Sequence, residues 1–216
     1  MKLLVVSDIE SKFIWDHFDR EYFRGVELVI SCGDLSAHYL SFLVTMLPCP
    51  LLYVPGNHDK RYAIEPPQGC ACIDGKLLVW RGIRILGLGG CKTPRGLLYE
   101  YTDRQMWSKV RRLEPAIRRA GGIDILVTHA PARGLGDGSD SFHEGFDAFR
   151  YLDDTYHPKY HLFGHVHGSG SPVERRAFIQ HGGTTLVKAT GYKLIELPEG
   201  GFPASPLPPR QPPWRR

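Results

Sequence analysis

Short apolar runs alternate with amphipathic stretches along this chain, an order that is typical of α/β proteins. Five runs rich in Val, Ile and Leu predict β-strands, and helical spacing of apolar positions predicts helices between them. The predicted strands are residues 2–7, 27–32, 50–55, 123–129 and 159–165. The predicted helices lie near residues 12–23, 36–46, 103–120 and 142–155.

Two further segments predict antiparallel pairs. Residues 76–90 contain two strand-like runs that meet at Arg81 and Gly82, as in a hairpin. Residues 178–197 form a second hairpin-like pair that is interrupted by glycines. We therefore expect two sheets packed between helices, one of them mostly parallel and the other built from antiparallel hairpins.

Length and composition suit one compact soluble domain. The chain has 216 residues, of which 42% are hydrophobic, and this is enough to bury a substantial core. We expect a domain over residues 1–197 and a Pro-rich, poorly packed tail over residues 198–216. No signal-peptide pattern or apolar run of about 20 residues is present. Five cysteines without C-x-x-C spacing indicate reduced thiols, so we expect a cytoplasmic location and no membrane partner.

Residue types that bind metals follow all five of the predicted parallel strands. In an open α/β sheet, ligands bind at the carboxyl ends of the strands, so we expect these segments to meet in one pocket. Carboxylate, amide and imidazole donors without cysteine suit a pair of divalent transition metals better than a structural zinc site. In chain order the candidates are Asp8, Asp34, Asn57, His58, Asp59, His129, His165 and His167.

The order of these motifs resembles the calcineurin-like metallophosphoesterase superfamily, in a compact bacterial-type form. The superfamily pattern is D-x-H, GD, GNH(D/E), H and GHxH, and this chain has DIE, GD, GNHD, TH and GHVH between residues 8 and 167. The resemblance implies a four-layer α/β/β/α sandwich, in which two mixed sheets are flanked by helices. It also implies two divalent metal ions as cofactors, with Mn²⁺ expected first and Fe²⁺, Zn²⁺ or Mg²⁺ as alternatives.

The resemblance also assigns a role to each candidate residue. It implies that one carboxylate bridges the two metals. One metal would be held by Asp8, Asp34 and His167, and the other by Asp34, Asn57, His129 and His165. His58 would face the leaving group as a general acid, and Asp59 would orient His58.

Glu10 departs from the pattern, because the family usually has His at this position. Side chains alternate along a strand, so Asp8 and Glu10 can project to the same side. We hypothesise that Glu10 replaces the usual His as a ligand of the metal held by Asp8. A third carboxylate would favour Mn²⁺ or Fe²⁺ over Zn²⁺. The alternative is that Glu10 turns away to pair with a cation such as Lys12.

The expected activity is hydrolysis of a phosphoester, more readily a diester than a monoester, by a hydroxide that two metals activate. The serine/threonine phosphatases of the superfamily carry GDxxDRG and GNHE, whereas this chain has GDLSAH and GNHD. We expect a small phosphoester substrate such as a nucleotide. The alternative is a non-catalytic binding scaffold with a decayed metal site, which the departure at Glu10 motivates. The sequence does not indicate an oligomeric state.

Other residues are weaker candidates. His38 and His143 could reach the pocket from loops, and the Gly-rich loop of residues 133–143, with Arg133, could lie over it and meet a phosphate. The remaining histidines are expected at the surface or in satisfied packing. They are His17, His157, His161 and His181.

The predicted helix of residues 103–120 is basic. Between residues 103 and 119, six Lys or Arg stand against two acids, and the apolar positions recur at helical spacing. We interpret the cations as a solvated face, so a nucleic-acid partner is not indicated, although it is not excluded. Pro115 is expected to break or kink this helix.

Overall fold

The computed structural model describes residues 1–93, 95–138, 140–166 and 176–198, together with residues 202, 203 and 207. Within these residues the chain forms strands and α-helices in the alternating order that the sequence predicts. The strands are β1 (Lys2–Ser7), β2 (Val26–Ser31), β3 (Leu51–Tyr53), β4 (Ala71–Cys72), β5 (Lys76–Trp80), β6 (Ile83–Leu88), β7 (Cys91–Lys92), β8 (Glu100–Tyr101), β9 (Ile125–Thr128), β10 (Tyr160–Phe163), β11 (Phe178–His181), β12 (Thr184–Lys188) and β13 (Gly191–Glu196). The helices are α1 (Lys12–Asp16), α2 (Ala37–Met46), α3 (Asp103–Ala120) and α4 (Asp147–Tyr156), with a 3₁₀ turn at Asp59–Ala63.

Two large sheets form the centre of the fold. The first has five strands in the order β13-β1-β2-β3-β4, and the second has six in the order β11-β12-β10-β9-β6-β5. The neighbours from β1 to β4 and from β12 to β6 are parallel, whereas β13, β11 and β5 each pair antiparallel with the adjacent strand. Both sheets are therefore mixed, and the predicted fold class is confirmed.

The division of strands between the sheets differs from the sequence expectation. The strands β9 and β10 lie in the same sheet as the hairpins, so the parallel strands are shared between the two sheets. The hairpin at Arg81 is confirmed, and β11 pairs with β12. However, β13 leaves β12 and pairs with β1 in the other sheet. The buried backbone of β1 thereby gains hydrogen-bond partners on both of its edges, as buried peptide groups require.

Alternating residues of the central strands pack into three separate apolar clusters. In β1, Leu3 and Val5 face the core between the two sheets, whereas Leu4 and Val6 pack with the residues of α2. A third cluster lies on the outer face of the second sheet and includes Met106 of α3 and residues of α4. Strands that are covered on both faces need continuous apolar runs, and this explains why β1 and β9 carry them.

The helices agree with the prediction except at their ends. The helix α1 is one short turn and ends at Asp16, well before residue 23. In α3 the chain continues through Pro115, so the helix does not break there, and the kink that was the other expectation stays a prediction. A capping box at Thr102 and Gln105 and a left-handed Gly121 define the ends of α3, and its apolar face is buried. The two caps and the buried apolar face offset the backbone N–H donor that proline lacks.

The predicted tail of residues 198–216 lies mostly outside the described residues. Phe202, which is described, packs against the core between the sheets, and its ring centroid is 6.3 Å from that of Tyr160. At this point the tail therefore contacts the domain. No helix in the described part of the chain combines the length and the apolar character that crossing a bilayer demands.

Candidate metal centre

Three of the predicted ligands have an unusual backbone conformation. Asp8, Asp34 and His165 each follow a strand, and their φ angles are 64°, 58° and 67°. This left-handed region is uncommon for residues other than glycine, although Asp and His enter it more readily than most. Such conformations cluster at functional sites, because the surrounding structure must hold them in place. The strand ends are thus shaped to turn these side chains toward one point.

Asp34, His129 and His165 meet at the carboxyl ends of strands from both sheets. One potential ligand atom from each residue lies within 4.8 Å of the corresponding atoms of the other two. The Oδ2 atom of Asp34 is 3.2 Å from Nε2 of His129, and the His129 and His165 rings are 4.9 Å apart. These three residues, all of them predicted ligands, form a triad at the centre of the candidate site.

Two further predicted ligands adjoin the triad. The Oδ1 atom of Asn57 is 3.1 Å from Nε2 of His129. The Oδ1 atom of Asp8 accepts a 2.9 Å hydrogen bond from the backbone amide of His165. The segments that follow β1, β2, β3, β9 and β10 therefore all contribute to the site, as expected. His167, the remaining predicted ligand of the first metal, lies outside the described residues.

Burial and the Asp34–His129 pair set the charge of the site. Burial alone lowers the pKa of His129, but the adjacent Asp34 carboxylate outweighs it and raises this pKa to about 9. Burial opposes ionisation of Asp34, yet the charge of His129 and its hydrogen bond lower the Asp34 pKa to about 2. Burial, and then the charge of His129, lower the pKa of His165 to about 3. In the metal-free site His165 is therefore neutral, which is the form that binds metal.

His129 is oriented by a hydrogen bond from its other ring nitrogen. Its Nδ1 lies 2.8 Å from the carbonyl oxygen of Cys32, so Nδ1–H donates to the backbone and Nε2 is directed to the centre. Such a bond fixes the tautomer and the ring orientation of metal-binding histidines. The Cys32 thiol is fully buried, and burial raises its pKa, so in the metal-free protein it is protonated.

Glycines make room for the side chains that converge. A Cβ atom at Gly56 would lie 2.1 Å from Oδ1 of Asp34, and one at Gly164 would lie 2.5 Å from Oδ2 of Asp8. Any larger residue would push these carboxylates away from the centre. The donor set of carboxylate, amide and imidazole groups, together with this space, fits a divalent metal ion.

Asp59 joins two loops of the site. Its Oδ2 accepts hydrogen bonds from the backbone amides of Asp34 (2.8 Å) and Gly56 (2.7 Å). We expected Asp59 to orient His58, but these bonds go to the backbone, and the Nε2 of His58 lies 4.0 Å from the Asp34 carboxylate instead. Burial, and then the charge of Asp34, raise the pKa of Asp59 to about 7 although both amide bonds lower it. Asp59 therefore holds the backbone of the site.

Glu10 lies outside the triad. Its Oε2 accepts a 2.6 Å hydrogen bond from the Trp15 indole, and its Oε1 accepts a 3.1 Å bond from the amide of Ser36, the N-cap residue of α2. Burial raises the pKa of Glu10, but the hydrogen bonds from Ser36 and Trp15 outweigh it, and the net pKa is lowered. Neither the hypothesised metal role nor pairing with Lys12 matches these contacts. In this structure Glu10 anchors the start of α2.

His58 lies at the open side of the site. Its side chain is 79% exposed, and its backbone amide donates a 2.8 Å hydrogen bond to Oδ1 of Asp34. A cavity of about 300 Å³ adjoins it, lined by His38 at the start of α2 and by Arg61 and Tyr62 of the 3₁₀ turn. His38, a weaker candidate from the sequence, therefore does reach the pocket.

The loop after His129 covers the other side of the site. The carbonyl oxygen of Phe142 lies 2.7 Å from Nε2 of His165, and the His143 ring is 5.1 Å from the His165 ring. Arg133 pairs with Glu144 at 2.5 Å and with Asp147 at 3.5 Å, so it does not present a free cation to a phosphate. The contact of the Phe142 carbonyl carries no sequence signal, because any residue type has a backbone oxygen.

A two-sheet sandwich with aspartate and histidine side chains gathered at its strand ends is the arrangement expected of the metallophosphoesterase class. The chain belongs to the calcineurin-like phosphoesterase family, whose profile matches residues 1–169. The predicted resemblance is confirmed, and membership of the family supports a metal-dependent phosphoesterase in general terms, because the family binds divalent metal ions.

Solved structures agree with this fold. One structure that is 15% identical has a TM-score of 0.65 and matches 90% of this chain and 94% of its own. The protein TT1561 of Thermus thermophilus is 18% identical, with a TM-score of 0.58 over 88% of this chain and 89% of its own. A novel archaeal phosphodiesterase is 16% identical, with a TM-score of 0.43, and the match covers 88% of this chain and 84% of the phosphodiesterase chain. At these identities the likeness shows the fold alone, and the third score is too low to carry an argument. A comparison with curated proteins gives no match.

Proposed function

We propose that the chain hydrolyses phosphodiesters with two divalent metal ions bound at this centre. The observation that carries the proposal is the position of Asp34, whose Oδ2 lies 3.2 Å from Nε2 of His129 and 4.0 Å from Nε2 of His58. A carboxylate there can bridge two ions and also lie beside a general acid. One ion would be held by Asp34, Asn57, His129 and His165, and the other by Asp34, Asp8 and His167.

The metal ions, when bound, would supply a nucleophilic water at neutral pH and neutralise the phosphoryl oxygens. Mn²⁺ is the proposed metal, because the donor set mixes carboxylates with imidazoles. His58 would protonate the departing oxygen, and its exposed ring leaves it free to reach substrate. Asp59 would keep the backbone of both loops fixed during the reaction. No protein nucleophile is needed.

The cavity beside His58 supports an ester with an organic leaving group. Its volume of about 300 Å³ is at the small end of ligand pockets in proteins. Because His58 lies on its wall, a group held there would have its ester oxygen next to the proposed acid. The size suits a small substrate such as a nucleotide, which remains our proposal for the substrate class.

The pairing of nearby cations supports a diester over a monoester. A monoester carries one more negative charge and favours a site with free Lys or Arg. Lys92 lies 2.5 Å from Asp103 and 2.9 Å from Glu144, and Arg133 is paired with Glu144 and Asp147. Lys92 and Arg133 are thus paired with acids, whereas Arg61 on the wall of the cavity, 90% exposed and 3.8 Å from Glu65, is available to the single negative charge of a diester.

A non-catalytic scaffold is the second candidate, and one observation favours it. Glu10 stands where the family has a histidine, and its oxygens are bonded to Trp15 and Ser36. The ion near Asp8 would therefore have one donor fewer than the family pattern provides. A scaffold of this kind would bind less than two ions per chain and cleave no diester.

The test is a grid of metals and substrates on protein that has been stripped with chelator. We expect no turnover without metal, recovery with Mn²⁺ above that with Mg²⁺, and faster cleavage of bis-4-nitrophenyl phosphate than of 4-nitrophenyl phosphate. Full activity in excess chelator would exclude the metal mechanism. Substoichiometric Mn²⁺ with no turnover on either substrate would support the scaffold.

His58→Ala tests the acid, with His38→Ala as its matched control, because His38 lines the same cavity. We expect His58→Ala to keep its metal content and to lose about 10²–10⁴-fold in turnover of a dinucleotide, whose alkoxide leaving group needs a proton. The same variant should lose much less turnover on bis-4-nitrophenyl phosphate, because the nitrophenolate group leaves without a proton. Equal losses on both substrates, or loss of metal, would contradict the assigned role.

A further inference from the structure

A buried hydrogen-bonded chain lies directly behind the metal centre. His161 of β10 has no exposed surface, and its Nδ1 lies 2.8 Å from Oδ2 of Asp153 in α4. Its Nε2 lies 2.9 Å from Oγ1 of Thr128 at the end of β9. Asp153 and Thr128 are also fully buried. The chain thus links a helix to two parallel strands of the second sheet.

The Thr128 hydroxyl joins His161 to the backbone beside His129. The hydroxyl has a single proton, which it donates to the carbonyl oxygen of Ala130 at 2.6 Å. Its oxygen can then accept from Nε2 of His161, which lies 2.9 Å away. The chain thus runs from Asp153 through His161 and Thr128 to Ala130.

The chain encloses the residue that presents the central imidazole. Thr128 and Ala130 are the two neighbours of His129, so the bond between them closes over the His129 peptide. His161 also lies on the strand that leads to His165, which is the other imidazole of the triad. One buried network therefore supports the backbone at both histidines.

Packing alone does not account for this network. Apolar side chains at positions 153 and 161 would fill the same volume without the cost of burying a carboxylate and an imidazole. Oδ1 of Asp153 has no hydrogen-bond partner among the described residues, which adds to that cost. A network with such a cost is explained if it fixes the position of something else.

We propose that His161 is a positioning residue, and that the Asp153–His161–Thr128 chain fixes the His129 peptide so that Nε2 of His129 points to the metal. The inference rests on the proposed metal-binding role of His129. Removing partners that lie behind metal ligands typically lowers metal affinity by about 10–100-fold. We expect a loss of this size when the chain is broken at Thr128.

The test compares Thr128→Val with Thr128→Ser. Valine keeps the shape but cannot bond to His161 or Ala130, whereas serine keeps the hydroxyl. We expect calorimetric titration of the chelator-treated proteins with Mn²⁺ to show about 10–100-fold weaker binding for Thr128→Val and near wild-type binding for Thr128→Ser. A purely structural role would lower the melting temperature of Thr128→Val and leave its Mn²⁺ affinity unchanged, and that result would overturn the proposal.

Two further arms keep the test decisive. If Thr128→Val does not fold, Thr128→Ala leaves room for a water beside His161, and its Mn²⁺ affinity should still fall because a water, unlike the hydroxyl, is not attached to the backbone next to His129. Unchanged affinity in that variant would overturn the proposal. If wild-type protein takes up no Mn²⁺, the proposed function fails and this inference with it. If wild type binds and all variants bind equally, only the present inference fails.

Discussion

Asp59→Asn should remove a pH dependence from the stability of the metal-free protein. Asp59 is 4% exposed, and burial with the charge of Asp34 raises its pKa from 3.8 to about 7. The folded chain therefore keeps a proton that the unfolded chain loses as the pH rises from 3.8 to about 7. The free energy of unfolding therefore falls as the pH rises across this window. Above the window, Asp59 causes no further change.

The size of the effect follows from the shift. A pKa unit corresponds to about 1.36 kcal/mol, so the whole window amounts to ~4 kcal/mol, and the part between pH 5 and pH 7 to ~3 kcal/mol. An asparagine at position 59 has a carbonyl oxygen that can still accept from the amides of Asp34 and Gly56, and it does not ionise. At pH 8 the Asn variant should therefore be the more stable protein.

Urea denaturation of both proteins at pH 5 and pH 8, in chelator, measures this difference. Groups that do not interact with Asp59 titrate alike in both proteins and cancel in the comparison. Asp59→Ala serves as the control: it leaves two buried amides without an acceptor, at roughly 1–3 kcal/mol each, and should be destabilised at both pH values. An equal fall from pH 5 to pH 8 in wild type and Asp59→Asn would refute the reasoning.

Three other predictions concern protons, the departure at Glu10 and a buried ion pair. Because the pKa of metal-free His129 is about 9, Mn²⁺ must displace a proton from this residue when it binds at neutral pH. The apparent affinity for Mn²⁺ should therefore rise with pH up to about 9, and the enthalpy of Mn²⁺ binding at pH 7 should differ between buffers of unlike ionisation enthalpy. Equal enthalpies in such buffers would contradict this prediction. Glu10→Gln should lower stability by about 1–2 kcal/mol and leave two Mn²⁺ per chain by elemental analysis, whereas loss of one ion would make Glu10 a ligand. Asp124→Asn, which breaks a buried pair with Arg84, should cost about 3–5 kcal/mol in urea denaturation. Glu27→Gln, in an exposed pair, should cost less than about 1 kcal/mol, and similar costs for the two variants would count against the argument.

Local patterns along the chain were enough to establish the class of the fold and most of the site. Continuous apolar runs of β-branched residues marked β1 and β2, because strands covered on both faces need them. Asp34, His129 and His165 could be named because metal-binding residue types followed successive predicted strands, and ligands bind at the carboxyl ends of such strands. Each of these signals can be seen in a few adjacent residues.

The partner of each polar group, by contrast, was established only by tertiary packing. Glu10 stands beside Asp8 in the chain, but the amide of Ser36 and the indole of Trp15 bind its carboxylate. His161 had no special role in the sequence pattern, although it lies buried between Asp153 and Thr128. Such contacts join residues that are far apart in the chain, so no local pattern records them. A buried polar group must find a partner wherever the fold brings one, and that choice exists only once the sheets and helices have packed.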